Sequence, residues 1–306
     1  MSRIHEALKK AEQERAMSQS STRVESESAA VLEPVSSSAG IIASATATSV
    51  ASSTLTRAGE VSLASSRQTD WKPDPKTMLF FSGEEHAPGM EEFRTLRSRL
   101  YQAREKQPLS KLLVTSALPK EGKSFTSANL AQVIVRQHGK RALVIDADLR
   151  NPQLHGLLGA EPGPGLCEYL RSEIDECSIL QRGPMENFFF IPAGRNTGNP
   201  AELVANGRMK SLLSRLEPMF DWIIIDSPPS VLVSDAVLLA NYCDGVLLVV
   251  RSNSTPVDAA KRARREFAEQ NLVGVVLNGI SSELTPYAQY YYPYGVYGAG
   301  KEQASN

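Results

Sequence analysis

The feature that most limits how this chain can fold is a series of short, mainly apolar runs separated by helical patterns. Six runs have this character: 112–116, 141–146, 187–192, 222–226, 245–251 and 272–278. Strands that are apolar at nearly every position are buried on both faces, as parallel strands are when helices cover each side of the sheet. The pattern predicts an α/β fold with a mostly parallel sheet and helices on both faces.

Helical patterns fill the intervals between these strands. We predict helices over 88–105, 123–138, 152–158, 165–171, 200–216, 235–242 and 256–270. Within 200–216 the pair Asn206-Gly207 predicts a break, because Gly is a poor helix former.

The flanking segments differ in composition from this alternating region. Residues 1–17 carry a short amphipathic pattern, which is either a docking helix or a frayed, solvated one. Between Ser18 and Ser66 the chain has fifteen Ser, nine Ala and no aromatic residue, too little apolar surface to offset the entropy of ordering. We therefore predict a disordered linker over 18–75, a folded domain over 76–280 and a separate tail over 281–306.

Composition excludes several classes of protein. Lys and Arg total 33 against 34 Asp and Glu, which argues against a protein that wraps nucleic acid. Three Cys without a close pair argue against a disulfide framework and a Cys-based zinc site. The apolar runs are far shorter than the roughly 20 residues of a membrane span, and residues 1–17 are too charged for a secretory signal. We expect a cytoplasmic protein.

A phosphate-binding motif follows the first predicted strand. The segment Ala117-Leu-Pro-Lys-Glu-Gly-Lys-Ser124 matches G-x-x-x-x-G-K-[ST] except at its first position, in the required strand–loop–helix context. Backbone N–H groups and a helix N-terminus would point at phosphates. Gly122 permits close approach, Lys123 reaches the terminal phosphates and Ser124 ligates Mg²⁺. Ala117 replaces the first Gly, so a left-handed backbone there would be strained.

Carboxylates end two other predicted strands. Asp146 ends the run 141–146, Asp148 follows it, and Asp226 ends the run 222–226. In open α/β sheets, ligands bind beyond the carboxyl ends of the strands. Three carboxylates and a phosphate loop on one rim predict a site for Mg²⁺ and a nucleotide.

The tail carries most of the tyrosines of the protein. Six of the nine lie within eleven residues: Tyr287, Tyr290, Tyr291, Tyr292, Tyr294 and Tyr297. One interpretation is a low-complexity tail that packs on a partner. Beside a nucleotide site, the other interpretation is a cluster of phosphate acceptors.

Taken together, these motifs resemble the bacterial tyrosine autokinases that regulate capsule and exopolysaccharide synthesis. The resemblance includes the phosphate loop, the aspartates after the two strands, the tyrosine tail and a Glu91-x-x-Arg94-x-x-Arg97 helix, and it covers about 88–298. It implies a P-loop ATPase fold rather than a eukaryotic kinase fold, with ATP and Mg²⁺. Lys120 occupies a loop position that is often Gly in that family.

The resemblance also implies roles for individual residues. Lys123 and Ser124 would hold phosphate and Mg²⁺, Asp146 would activate the tyrosine hydroxyl, and Asp148 and Asp226 would complete the metal site. Nucleotide contacts are expected from Ala117, Leu118, Pro119, Lys120, Glu121, Gly122, Lys123, Ser124, Phe125 and Asn278.

Assembly and partners follow from the same resemblance. The helix with Glu91, Arg94 and Arg97 would join neighbouring copies in a ring, where the tail of one copy is phosphorylated by another. Many members of that family carry a fused membrane-spanning activator, which this sequence does not show. The resemblance therefore implies a separate membrane-bound activator of the polysaccharide chain-length-determinant type. The protein would then lie at the inner face of the plasma membrane through that partner. No specific nucleic-acid partner is expected.

Two other functions are compatible with parts of the sequence. ATPases of the septum-positioning or chromosome-partition type share the fold, but they carry a second lysine where this chain has Leu118. A nucleotide-gated scaffold without catalysis would need fewer carboxylates. A dinucleotide oxidoreductase is set aside, because no G-x-G-x-x-G follows the first strand.

Overall fold

The computed structural model describes residue 63 and residues 66–75, 77–81, 89–195 and 198–280. The predicted helix in 1–17, the linker up to residue 62 and the tail 281–306 lie outside these residues. The strands are β1 (Arg67–Gln68), β2 (Lys111–Ser116), β3 (Ala142–Asp146), β4 (Gln181–Arg182), β5 (Phe188–Ile191), β6 (Trp222–Asp226), β7 (Gly245–Arg251) and β8 (Leu272–Asn278). The helices are α1 (Met90–Lys106), α2 (Lys123–Val135), α3 (Leu154–Leu158), α4 (Leu166–Leu170), α5 (Glu176–Ile179), α6 (Pro200–Ala205), α7 (Arg208–Leu216), α8 (Asp235–Ala240) and α9 (Val257–Glu266).

The strands form one sheet in the order β1-β4-β5-β3-β6-β2-β7-β8. Neighbouring strands are parallel except for β4 and β5, which are antiparallel. All five residues of β3 and of β6 are buried, as expected for strands covered on both faces. The predicted mostly parallel α/β sheet is confirmed.

Helices cover the two faces of the sheet with separate apolar cores. Successive residues of β3 point to opposite faces, so Leu143 joins the core beneath α6, α7 and α8. Val144 joins the core beneath α1 and α2, which contains Phe93 and Leu130. Both cores converge on the central strands, which fixes the carboxyl ends of β2, β3 and β6 at one rim.

The folded region begins before the predicted boundary at residue 76. Arg67 and Gln68 pair with Gln181 and Arg182 at the edge of the sheet. Trp71 is 3 % exposed, and its ring meets that of Phe188 edge-on at 5.2 Å. The predicted linker is therefore wrong over residues 66–75, because one large aromatic side chain supplies apolar burial that the Ser/Ala-rich stretch lacks.

The helix break predicted at Asn206-Gly207 is confirmed. α6 ends at Ala205, α7 begins at Arg208, and Gly207 has a left-handed φ of 81°.

In the part of the chain that the structure describes, no helix combines the length and the apolar character needed to cross a bilayer.

Candidate active site

The phosphate loop between β2 and α2 contains two left-handed residues. Lys120 has φ 65° and Gly122 has φ 96°, whereas Ala117 has no positive φ. The strain considered for Ala117 is therefore absent, and the unusual conformation falls on Lys120, a position where Gly would be easier. The left-handed φ of Gly122 makes any other residue there strained, and a Cβ at this position would also displace the side-chain amide of Asn278.

Side chains from the ends of β7 and β8 brace this loop. Asn278 Nδ2 donates to the carbonyl of Glu121 at 2.9 Å, and Arg251 donates to the carbonyl of Lys120 at 3.0 Å. The Glu121 carboxylate is 3 % exposed. It accepts the Leu118 N–H at 2.9 Å and bonds the Thr255 hydroxyl. Arg251 and Thr255 were not identified from the sequence, because no local motif marks them.

The predicted nucleotide contacts all lie on or beside this loop. Pro119 and Lys120 are exposed and Leu118 is half-buried. The Phe125 ring packs on Phe93 of α1, with 5.7 Å between centroids. The Asn278 side chain donates to the Glu121 carbonyl, and this bond supports the loop.

Lys123 lies among the predicted carboxylates. Its Nζ is 2.8 Å from Asp148 Oδ2 and 3.7 Å from Asp226 Oδ2, and it donates to Ser124 Oγ at 3.2 Å. Burial lowers the pKa of Lys123, but the charges of Asp226 and Asp148 outweigh burial and leave that pKa above its usual value. Lys123 is therefore held as a cation at the mouth of the loop.

Asp226 is bound by the first turn of α2. Ser124 Oγ donates to its Oδ2 at 2.6 Å and Ser127 Oγ donates to its Oδ1 at 3.3 Å. Asp226 is fully buried. Burial raises the pKa of this carboxyl, and the nearby Lys123 charge offsets only part of the rise.

Asp146 lies opposite Asp226 in the register of β3 and β6. Its Oδ2 accepts the Leu154 N–H at 3.1 Å. Among the described residues its buried Oδ1 has no hydrogen-bond partner. Burial, followed by the charge of Asp226, raises the pKa of Asp146 well above its usual value. A buried carboxyl oxygen without a hydrogen-bond partner is uncommon, and a catalytic role or a bound ion is a usual explanation.

The donor set fits a hard cation such as Mg²⁺. Ser124, Asp148, Asp226 and Asp146 offer only oxygen atoms, the ligands that Mg²⁺ prefers. No group of three His, Cys, Asp or Glu among the described residues has the spacing of a preformed metal centre. Mg²⁺ keeps several waters and binds through one or two carboxylates together with substrate phosphates.

An ion pair joins the segments that follow β3 and β6. Arg150 donates to both carboxylate oxygens of Asp235, with Nε–Oδ2 at 2.7 Å and Nη2–Oδ1 at 3.0 Å. Asp235 is 1 % exposed. Arg150 comes two residues after Asp148, so this pair fixes the path of the backbone that carries Asp148. The sequence did not predict it, since Asp after a strand or at a helix start is common.

The predicted interface residues on α1 have partners in their own chain. Arg94 forms an ion pair with Glu91 three residues earlier. Arg97 donates to the carbonyl of Val133 on α2 at 2.7 Å. Arg97 therefore also holds α1 against α2, a contact that the helical spacing did not predict.

A separate cavity of about 710 Å³ opens between α4, α5 and α7. Both of its arginines have partners within the chain, since Arg215 pairs with Glu176 and Arg208 stacks over the Tyr169 ring at 4.6 Å. None of the predicted site residues lines it. The nucleotide chemistry belongs to the rim of the sheet, because the phosphate loop and the carboxylates meet there.

Comparisons with known proteins agree with this geometry. Residues 121–260 match a family model described as an AAA domain. Tyrosine-protein kinase YwqD of Bacillus subtilis is 35% identical over 204 residues, covering 66% of this chain and 85% of YwqD. Tyrosine-protein kinase Wzc of Salmonella typhimurium is 33% identical over 208 residues, covering 67% of this chain and 29% of Wzc.

Solved structures give the same result. The kinase domain of the Escherichia coli tyrosine kinase ETK superposes with a TM-score of 0.60 at 32% identity, covering 62% of this chain and 75% of that one. The chain spans most of YwqD but less than a third of Wzc. These relatives support the kinase prediction over the partition-type ATPase. The chain belongs to the family of bacterial tyrosine-protein kinases.

Proposed function

We propose that this chain is an ATP-dependent protein-tyrosine autokinase that phosphorylates the tyrosines at 287–297 of a neighbouring copy. We further propose that the phosphorylation state of this tail regulates the synthesis or export of a capsule or exopolysaccharide. The polysaccharide role rests on the resemblance of the motifs. The phosphorylation itself is supported by the site.

One observation carries the proposal: β8, the strand that precedes the tail in the sequence, ends beside the phosphate loop. β8 ends at Asn278, whose side chain donates to Glu121 of the loop at 2.9 Å. Tyr287 follows only nine residues later in the sequence. An extended segment of that length spans about 30 Å, enough to bring a tyrosine to the active-site rim of an adjacent copy.

The chain's own residues account for phosphate binding. N–H groups of the loop and the start of α2 would face the phosphates, while Lys123 would exchange its bonds to Asp148 and Asp226 for phosphate oxygens. Ser124, Asp148 and Asp226 would hold Mg²⁺. When bound, that ion supplies positive charge that neutralises the phosphates and the leaving group.

Asp146 is the proposed base. The tyrosine oxygen forms a bond to the terminal phosphorus, the bond to the leaving phosphate oxygen breaks, and ADP departs. The phenolic proton passes to a carboxylate, and Asp146 Oδ1 has no other partner among the described residues. Asp146 is fully buried, so the tyrosine must enter the site and exclude water in order to reach it.

Assembly into a ring is part of the proposal. Glu91 and Arg94 remain accessible on α1, with side chains 69 % and 36 % exposed, and so can contact a neighbouring copy. A separate membrane-bound activator of the chain-length-determinant type would place the kinase at the inner face of the plasma membrane.

A mixing experiment tests transfer between copies. One chain carries Lys123→Met with an intact tail, and the other carries an intact site with all six tail tyrosines changed to Phe. After incubation with Mg-ATP, phosphotyrosine mapped by mass spectrometry is expected in 287–297 of the Lys123→Met chain. In the matched control, Lys210→Met is added to the chain that has the intact site. Lys210 is exposed on α7. Absence of phosphotyrosine in the mixture, with ATP bound normally, would reject transfer in trans.

A further inference from the structure

A surface with both basic and apolar residues lies at the open edge of the sheet. It consists of Lys261, Arg264 and Arg265 on α9 together with Val275 and Leu277 of β8 and Ile280 just after that strand. We call it the β8–α9 surface. None of its residues belongs to the nucleotide site.

The basic half lies on the solvent side of α9. Ala263 is buried against the sheet, and helical geometry turns Lys261 and Arg265 to the opposite side, with Arg264 next to them. Arg262, on the other flank, pairs with Glu266 at 3.8 Å. Among the residues that the structure describes, no carboxylate forms an ion pair with Lys261, Arg264 or Arg265.

The two strand residues of the apolar half, Val275 and Leu277, are on the same face of the sheet as α9. Val275 and Leu277 pair in register with Leu248 and Val250 of β7, which pack beneath α9 with Ala263. α9 covers the β7 residues but leaves Val275 58 % exposed, Leu277 54 % exposed and Ile280 47 % exposed. An uncovered row of apolar residues on an edge strand favours occupation by another segment.

We propose that the β8–α9 surface binds the phosphorylated C-terminal segment, residues 281–306, of the same chain. This inference rests on the proposed phosphorylation of the tail. Phosphates would pair with Lys261, Arg264 and Arg265, and the apolar residues of the tail would cover Val275, Leu277 and Ile280.

The position and length of the segment support this occupant. It begins directly after Ile280, and β8 ends at the rim where α9 begins, because α9 connects β7 to the parallel strand β8. Tyr287 lies seven positions after Ile280, a span of up to about 25 Å. α9 has ten residues and is about 15 Å long. The tail can therefore run back along the whole helix.

Charge makes the docking depend on phosphorylation. The segment carries Glu283, Glu302 and Lys301, so its formal side-chain charge is only −1 (two acidic against one basic). Each phosphate adds about −1.5 to −2 at neutral pH. Phosphates form strong, charge-assisted bonds with Arg. A phosphorylated tail held on its own α9 is unavailable to the active site of a neighbour.

A peptide-binding assay tests the surface without requiring kinase activity. The full chain with six tail tyrosines changed to Phe is titrated into a fluorescent synthetic peptide of residues 281–306 that carries phosphotyrosine at Tyr290, Tyr291 and Tyr292. The triple change Lys261→Gln, Arg264→Gln and Arg265→Gln is expected to weaken binding by about tenfold or more. The matched control Arg262→Gln removes a charge from the same helix and is expected to change binding by less than about twofold.

The unphosphorylated peptide provides the second comparison. It is expected to bind at least about tenfold more weakly than the phosphopeptide, and added salt is expected to reduce the difference. Equal binding of the two peptides, or equal binding to the triple variant and the Arg262→Gln control, would overturn the proposal. Circular dichroism confirms that the triple variant is folded, and the single change Arg264→Gln serves as a milder second variant with a smaller expected loss.

The native full chain then tests docking in cis. Intact mass after incubation with Mg-ATP reports tail phosphorylation, and hydrogen exchange reports protection of β8 and of α9. Protection that rises with phosphorylation, and is lost in the triple variant, supports the proposal. An unmodified tail contradicts the proposed function and leaves the peptide result standing. A modified tail without added protection contradicts docking in cis.

Discussion

Lys123 and Asp148 form an ion pair with 2.8 Å between Nζ and Oδ2, joining the phosphate loop to the segment after β3. Asp226 lies 3.7 Å from the same ammonium, and Asp146 adds a weaker attraction. In the proposed function, a phosphate that binds Lys123 would replace these carboxylate contacts, which would couple the position of the aspartates to nucleotide binding. The first prediction concerns Asp146, which makes no direct bond to that ammonium.

Asp146→Asn should separate nucleotide binding from transfer. Asn keeps an oxygen that can accept the Leu154 N–H but cannot take up the tyrosine proton. We expect nucleotide affinity to be retained and the rate of phosphoryl transfer to fall by roughly 10²-fold or more. Single-turnover transfer and equilibrium nucleotide binding measure the two quantities. A variant with an unchanged transfer rate would assign proton removal to Asp148 or to Mg²⁺ alone.

Gly122→Ala should disrupt the phosphate loop through both φ and space. The new Cβ would lie 1.9 Å from Asn278 Nδ2, at a backbone φ of +96°. We expect a loss of about 1–3 kcal/mol in the free energy of unfolding together with weaker nucleotide binding. Asn278→Ala added to Gly122→Ala should restore only part of the loss, because it relieves the contact and leaves the φ strain. Full recovery in the double variant would show that the strain is negligible.

Arg150→Gln should destabilise the segments after β3 and β6. The change leaves the carboxylate of Asp235, which is 1 % exposed, without its two hydrogen bonds from Arg150. Since the Arg150 side chain is itself 40 % exposed, we expect a moderate loss of about 1–3 kcal/mol. Urea unfolding of Arg150→Gln, Asp235→Asn and the double variant gives the coupling energy. Strict additivity of the two single effects would contradict direct coupling.

Arg94→Gln and Arg97→Gln should differ in their effect on the isolated chain. Arg97 donates to the Val133 carbonyl at 2.7 Å, so its loss should lower the free energy of unfolding by about 1 kcal/mol. Arg94 pairs with exposed Glu91, and its loss should change stability by less than about 0.5 kcal/mol. In sedimentation, Arg94→Gln should shift the protein toward monomer. An unaltered sedimentation profile for Arg94→Gln would remove α1 from the proposed ring contact.

Asp244 should make stability fall in acid. Burial raises the pKa of Asp244, but hydrogen bonds from the Lys111 and Ser110 N–H groups outweigh burial and hold that pKa below the ordinary value of 3.8. A depressed pKa gives stability that is present above pH 3.8 and is lost as the pH falls through the folded-state value. The free energy of unfolding, measured from pH 5 to pH 3, should fall less steeply for Asp244→Asn than for the native chain. Parallel curves would show that Asp244 does not contribute.

The sequence by itself determined the sheet and the composition of its rim. Apolar runs such as 222–226 can be satisfied only by burial on both faces, and this forces parallel strands with helices on each side. Gly122, Lys123 and Ser124 are contiguous, and Asp146 and Asp226 each follow an apolar run, so local order placed them at strand ends. The break at Gly207 was equally local, since it depends on the backbone of that one residue.

Only the tertiary structure decided how these residues are held. Glu121 and Asn278 are 157 residues apart in the sequence, and Arg150 and Asp235 are 85 apart. Their contacts depend on which strands became neighbours. Arg97 bonded to α2 rather than remaining wholly at the surface, and Trp71 drew residues 66–75 into the fold by packing on β5. A sequence pattern records the period and burial of an element, whereas the partner of a polar side chain is set by the packing of distant elements.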